Sequence, residues 1–121
     1  MGNVLFVGYP TCSTSNKARA WLDRQGIAYR DRHIVEDNPT AEELGAWHKL
    51  SGLPLRRLFN TSGMRYRERN VKSLLDGGLS DKDSYKLLAE DGMLVKRPIL
   101  VGEDFVLFGF KEAEWERALL G

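Results

Sequence analysis

Cys12 is the only cysteine in the chain, and its neighbours mark it as a candidate nucleophile. Residues 3–9, Asn-Val-Leu-Phe-Val-Gly-Tyr, read as a buried strand. Residues 16–25 read as a helix with Ala18, Trp21 and Leu22 on one face. Between them runs Tyr9-Pro10-Thr11-Cys12-Ser13-Thr14-Ser15. A thiol in such a strand-to-helix turn meets free backbone N–H groups and the positive end of the helix dipole, both of which favour an anion. It therefore ionises more readily than a free cysteine, and the thiolate is the reactive form. The N–H groups of Ser13, Thr14 and Ser15 would line an anion pocket. The Ser15 hydroxyl can donate to the Cys12 thiolate and can also cap the helix. The alternative is an inert buried cysteine, and the polar run from Ser13 to Asn16 counts against it.

The rest of the composition narrows the function class. A chain of 121 residues suits a single domain, 1–121, with one core. Its net charge of +1 gives no footprint for non-specific nucleic-acid binding. No apolar run approaches the roughly 20 residues that span a bilayer. The first residues carry no basic leader or cleavage signal, and a lone cysteine cannot close an internal disulfide. The expected compartment is the reducing cytoplasm. Cys12, His33 and His48 have no metal-ligand spacing. The histidines read as ordinary structural residues, His33 on a strand and His48 on a helix.

The elements that must hold Cys12 in place follow from periodicity and turn chemistry. Gly26 closes the first helix, and Tyr29–Val35 alternates as a second strand. Strand, helix and strand in that order predict a parallel pair. Thr40 and Glu43 have capping-box spacing at the start of a helix with Leu44, Trp47 and Leu50 as its stripe, closed by Gly52. Leu55, Leu58 and Phe59 suggest a short helical turn, and residues 60–63, Asn-Thr-Ser-Gly, a chain reversal. Val71, Leu74 and Leu75 suggest a short helix stopped at Gly77. Ser80 caps a firmer one with Leu87 and Leu88 as core contacts, ended by Asp91-Gly92. Residues 97–101 and 105–108 read as a hairpin about Gly102-Glu103-Asp104, and residues 111–120 as a final helix with Trp115, Ala118 and Leu119 inward. The sum is an α/β fold, a mixed sheet of about four strands flanked by helices.

This order resembles a thioredoxin-like fold with a helical insert, about residues 40–92, between its β-α-β and β-β-α halves. Residues 9–18, from Tyr9 to Ala18, resemble the active-site turn of the arsenate reductase family, which includes the ArsC, YffB and Spx branches. Lys96-Arg97-Pro98-Ile99-Leu100 resembles that family's Arg-Pro strand. Residues 60–63, Val101-Gly102 and residues 109–112 resemble an ArsC-like branch near Spx. The resemblance covers nearly the whole chain and implies a bacterial thiol enzyme. It implies that Cys12 attacks and that Arg97, a rigid fork of donors, holds the anion. Pro98 is expected to follow a cis bond. Arg97 read by itself is a surface arginine at the start of a strand, and only the fold context directs it at Cys12.

Departures from the family pattern shape the expected activity. Glutaredoxin-dependent arsenate reductases of the family surround the cysteine with three arginines. Here the second and third positions are, by spacing, Asn60 and Gly109, and Arg56 or Arg57 could substitute in space. Asn60 thus joins Ser13, Thr14, Ser15 and Pro98 as a candidate anion- or substrate-binding residue. The Spx switch, Cys-x-x-Cys, reads Cys12-x-x-Ser15. The resemblance therefore implies a monothiol oxidoreductase, resolved by glutathione as co-substrate or by a glutaredoxin- or thioredoxin-type partner, with no tightly bound cofactor. The rival it implies is an Spx-like adaptor that contacts RNA polymerase. Six basic residues between Arg56 and Lys72, with Phe59 and Tyr66 among them, could serve either as an anion-binding edge or as a docking surface. A solvated face is the usual meaning of such a run.

Overall fold

The computed structural model describes residues 4–121, which form four strands and six helices. Asn3, expected in the first strand, lies outside the described residues. Strand β1 (Val4–Gly8) leads through a turn into helix α1 (Ser13–Arg24), and β2 (Tyr29–His33) follows. Helices α2 (Ala41–Ser51), α3 (Met64–Glu68), α4 (Val71–Asp76) and α5 (Asp81–Glu90) occupy the middle of the chain, with 3₁₀ turns over Leu55–Leu58 and Gly92–Leu94. The hairpin β3 (Ile99–Val101) and β4 (Val106–Phe108) and helix α6 (Glu112–Leu119) complete it. The sheet order is β2-β1-β3-β4. As expected, β1 and β2 are parallel, and β3 runs antiparallel to both β1 and β4.

The central strands β1 and β3 are buried on both faces, because their continuous apolar runs send side chains to each face in turn. Phe6 and Leu100, register partners on β1 and β3, face α1 and α6, where they join Ala18, Trp21, Leu22 and Trp115. Val7 and Ile99, the next partners, face the other way and join Leu44, Trp47, Leu58 and Leu88. Trp115 is fully buried, edge-on to Trp21 and Phe110, and its indole N–H donates to the Gly109 carbonyl at 3.1 Å. That bond removes the cost of burying the indole nitrogen unpaired.

Several expectations shift on contact with the structure. Helix α1 begins three residues earlier than periodicity suggested, at Ser13, because the polar residues 13–15 carry no apolar signal yet supply its first turn. Leu50 and Leu74, expected in the core, are exposed. Helix α3 was not expected; it follows directly on the reversal at residues 60–63. Phe59 and Tyr66 are buried core residues, so the aromatics of the basic run are not recognition groups. Its cations are largely paired: Arg56 with Asp76, Arg65 with Asp91 at 2.8 Å, Arg69 with Glu90 at 2.9 Å, and Lys72 with Asp76 at 2.9 Å. The histidines are structural. The His48 Nε2–H donates to the Leu53 carbonyl (2.9 Å), which leaves Nδ1 to accept from the Tyr85 hydroxyl (2.6 Å). The His33 Nδ1 accepts the N–H groups of Val35 and Glu36, both at 3.1 Å.

The capping box at α2 forms as predicted, with Thr40 and Glu43 exchanging bonds at 3.0 Å. Glu43 also takes a two-pronged bond from Arg32, both N–O distances being 2.8 Å. The Arg32 hydrogen bond, with help from the Thr40 N–H, holds the Glu43 carboxyl at about 2 against the resistance of partial burial. The folded value lies below the ordinary 4.5, so its contribution to stability is complete above pH 4.5 and disappears as pH falls toward 2. Glu43→Gln is expected to lower stability by about 1 kcal/mol at pH 7, a figure reduced for the exposure of the pair. Urea midpoints of the two proteins should converge as pH falls through that window.

Candidate active site

The Cys12 turn is built at the end of the central strand. The Cys12 N–H donates to the Tyr9 carbonyl at 3.0 Å, closing the turn, and the Cys12 carbonyl accepts the Asn16 N–H at 3.0 Å, opening α1. Cys12 is thus the N-cap residue, with extended φ −84° and ψ 119° and no cap bond from its side chain. It is half-buried, whereas Ser13 and Thr14 are exposed and Ser15 is fully buried. The Ser15 hydroxyl accepts the Tyr9 N–H at 3.3 Å. Its own proton is left for the Cys12 sulfur. The absence of a side chain at Gly8 makes this seat possible: a Cβ there would lie 2.7 Å from the Phe6 ring and 3.2 Å from the Ser15 oxygen.

These contacts set the acidity of the thiol. Partial burial pushes the Cys12 thiol up, and it is the largest single influence. Against it act the Ser15 N–H, the Ser15 hydroxyl, the positive charge of Arg97 and the Thr14 N–H, and together they bring the thiol below its ordinary value. Ser15 sits inside the first turn as its third residue, so it does not cap the helix.

Arg97 approaches from the other half of the fold. The Arg97-Pro98 bond is cis, as expected. The Arg97 guanidinium lies over the Tyr9 ring, 5.6 Å from its centroid, and donates through Nη1 to the carbonyls of Met93 and Val95, each at 3.3 Å. Its Nε is buried without a partner. Pro98 is buried, and its carbonyl accepts the Gly109 N–H at 2.8 Å. Tyr9 was not singled out by sequence, yet it stacks beneath Arg97 on one side and meets His33 edge-on at 5.5 Å on the other. Its place immediately before the Pro10-Thr11-Cys12 turn was the available signal.

Asn60 is tied to the segment that leads to Arg97. Its N–H donates to the Leu94 carbonyl at 2.8 Å, beside an antiparallel bridge between Phe59 and Val95. Its side chain folds over its own turn, with Oδ1 3.5 Å from the Ser62 hydroxyl and Nδ2 where a Cβ on Gly63 would clash. The backbone of Asn60 is therefore tied to the segment leading to Arg97, while its amide lies against its own turn. At Gly109 the Lys96 chain covers the open Cα, its Cε 3.0 Å from where a Cβ would stand. Arg56 is engaged by Asp76. Among the described residues, no group of three or more His, Cys, Asp or Glu side chains is placed to hold a metal ion, and no helix is long and apolar enough to cross a membrane.

Comparison with known proteins places this arrangement. The ArsC-related protein of Bacteroides fragilis is 51% identical and superposes with a TM-score of 0.91, with 97% of each chain covered. The protein YusI of Bacillus subtilis is 45% identical over 114 residues, 94% of this chain and 96% of that one. More distant relatives divide in kind. Arsenate reductase from Vibrio cholerae is 29% identical with a TM-score of 0.82, covering 98% of this chain and 96% of that one. The global transcriptional regulator Spx 2 of Bacillus anthracis is 28% identical over 90% of this chain and 81% of its own. A glutaredoxin from Archaeoglobus fulgidus, 17% identical with a TM-score of 0.50 over 100% of this chain and 89% of that one, shares the thioredoxin-like fold alone. The ArsC family model matches residues 7–118, from the end of β1 into α6. With the Cys12 turn at one end of that span and the Arg97-Pro98 strand near the other, the chain belongs to the ArsC family, a family of thiol-oxidoreductase type.

Proposed function

We propose that the protein is a monothiol oxidoreductase in which Cys12 is the nucleophile and Arg97 the anion-holding residue. The observation that carries this reading is the seat of Cys12 at the start of α1, where Ser15 and Thr14 stabilise the thiolate. On a disulfide, the Cys12 thiolate attacks one sulfur, forms a mixed disulfide and expels the other sulfur as a thiolate. Glutathione or a redoxin thiolate then attacks the mixed disulfide and releases Cys12. On an oxyanion, Cys12 displaces an oxygen that leaves as water. The two electrons of the reduction come from Cys12 and a second thiol, which are left joined as a disulfide. A further thiol returns Cys12 to its reduced form. The electrons come from thiols throughout, so this chemistry calls for no resident metal or organic cofactor, and the reducing cytoplasm suits it.

The pH dependence of iodoacetamide alkylation tests the reading. The midpoint for Cys12 is expected below the free-thiol value of about 8.5. Ser15→Ala should raise it by about 1 pH unit, since a hydrogen bond to the charged form is lost. Arg97→Ala should raise it less, and should abolish protection of Cys12 by phosphate, sulfate or arsenate. A wild-type midpoint at or above the free-thiol value removes the activated nucleophile. Equal anion protection in the mutant removes Arg97 as the anion holder.

Arsenate itself should be a poor substrate. Asn60 and Gly109 offer no charged donor, of the two arginines nearby in sequence Arg56 is engaged by Asp76, and each charge-assisted contact to an oxyanion is worth about 1.5–3 kcal/mol. Turnover of arsenate with glutathione and glutaredoxin is expected to be barely above background. Robust turnover would mean that other cations complete the site.

The likeness to global transcriptional regulators supports a second reading, an adaptor that docks on RNA polymerase. The pairing of the basic run with Asp76, Glu90 and Asp91 leaves that surface with less free positive charge than its sequence suggests. Pull-down from a bacterial lysate separates the two. Capture of a redoxin through a mixed disulfide at Cys12, lost in Cys12→Ser, is the expected result. Capture of polymerase subunits regardless of Cys12 would favour the adaptor.

A further inference from the structure

The side chain that shapes the surroundings of Arg97 lies six residues before it. Asp91 ends α5 and opens the 3₁₀ turn over Gly92–Leu94. Its Oδ1 accepts the Met93 N–H at 2.9 Å and its carbonyl accepts the Leu94 N–H at 3.0 Å. Its Oδ2 accepts from the Arg65 guanidinium at 2.8 Å. The Asp91 side chain is only 14% exposed, against 55% for Arg65. The turn is pressed against the loop after β2: a Cβ on Gly92 would lie 2.2 Å from the Ile34 carbonyl. Two carbonyls of this segment, Met93 and Val95, receive Arg97 Nη1.

We propose that Asp91 is a positioning residue for Arg97, its carboxylate shaping the turn whose carbonyls hold the guanidinium over Tyr9 beside the Cys12 turn. An aspartate bonding the N–H two residues on forms an Asx turn, which fixes the direction of the following carbonyls. Without it, the turn keeps only its backbone bonds, such as that from the Leu94 N–H to the Asp91 carbonyl, and the Met93 carbonyl is held less firmly for the guanidinium. Arg97 carries a long chain with high rotamer entropy, so two long hydrogen bonds from one nitrogen, each 3.3 Å, and one aromatic face are modest restraints. The loss of one matters for its placement. Arg65, on α3, pairs with the outer carboxylate oxygen, and the Asx bond from the Met93 N–H does not depend on that pair.

The inference rests on Arg97 acting on Cys12, and the test separates the two. The readout is the pH midpoint of Cys12 alkylation, which a merely structural role of Asp91 would not move. Asp91→Asn keeps an oxygen that can accept the Met93 N–H. Asp91→Glu keeps the charge and can reach Arg65, but its extra methylene takes the carboxylate out of the Asx ring. Asp91→Glu is expected to raise the midpoint by about 0.5 pH unit. Asp91→Asn should match the wild type or fall just below it, since removing a negative charge favours the thiolate. In an Arg97→Ala background, Asp91→Glu should add nothing. An unchanged midpoint in Asp91→Glu, a rise of equal size in both backgrounds, or a rise in Asp91→Asn overturns the proposal while leaving Arg97 in place. An unchanged midpoint in Arg97→Ala alone overturns both readings. Where Asp91→Glu gives no cooperative melt, Asp91→Ala takes its place. Loss of cooperative unfolding in both assigns Asp91 to the fold and not to Arg97.

Discussion

The antiparallel register between β1 and β3 is the constraint on which the site depends. Leu5, Phe6 and Val7 pair with Val101, Leu100 and Ile99. Continued two residues past the ladder, the same register sets Tyr9 opposite Arg97, and the guanidinium indeed lies over the Tyr9 ring. Two segments some 85 residues apart in sequence are thus brought together by three backbone pairings. The parallel partner works on the other flank: Gly8 pairs with His33, the Ile34 N–H donates to the Gly8 carbonyl at 2.9 Å, and the His33 ring meets Tyr9. A one-residue slip of β3 would exchange its faces. Leu100 would turn to the α2–α5 side, Ile99 to the tryptophans of α1 and α6, and Arg97 would leave the Cys12 turn.

That register is secured by apolar burial on both faces. Phe6, Leu100, Trp21 and Trp115 on one side and Val7, Ile99, Leu58 and Leu88 on the other are at most 1% exposed. Burying one such side chain is worth about 1.5–3 kcal/mol, so a slip that misplaces two or three of them forfeits a large share of the stability of an ordinary domain, about 5–15 kcal/mol. The polar contacts do a different task. Arg32 reaches Glu43 on α2 and the carbonyls of Asp37 and Asn38, while the Asn38 amide donates to the Ala89 carbonyl at 3.1 Å near the end of α5. These bonds add little net energy each. Their effect is to tie the loop after β2 to the end of α5, from which the chain turns toward Arg97.

Much of this was legible in the sequence because it is written in periodicity and punctuation. The β-α-β and β-β-α halves, the capping box at Thr40 and Glu43, and the closing glycines Gly26 and Gly52, both at positive φ, each leave a local signal. What was not legible has one common cause: it depends on partners distant in sequence. Helix α3 is five residues long, too short to declare a stripe, and Tyr66 is in the core because Phe59 meets it edge-on. The exposure of Leu50 follows from how α2 lies on its neighbours. The basic run read as an open charged face because the acids that partner it, Asp76, Glu90 and Asp91, come later in the chain. At the site, the cysteine, serine and arginine were visible as residue types in a familiar order. Tyr9 as the platform beneath Arg97 was not, since nothing but the register puts it there.

The burial pattern of the Cys12 turn bears on how the thiol can be resolved. With a single cysteine in the chain, any disulfide at Cys12 must be made with another molecule. The third residue after it, Ser15, has no exposed surface, so a thiol at that position would stand behind Cys12, out of reach of an external partner. As a serine, it occupies that protected place and does what a hydroxyl does well, accepting the Tyr9 N–H while donating to the sulfur. Cys12 itself is half-exposed between the exposed Thr11 and Ser13, so its side chain can be approached from solvent. Burial of the stabilising hydroxyl and exposure of the sulfur are opposite demands on residues one helical turn apart. The N-cap position meets both, because the N-cap side chain projects outside the helix while the third residue turns back under β1.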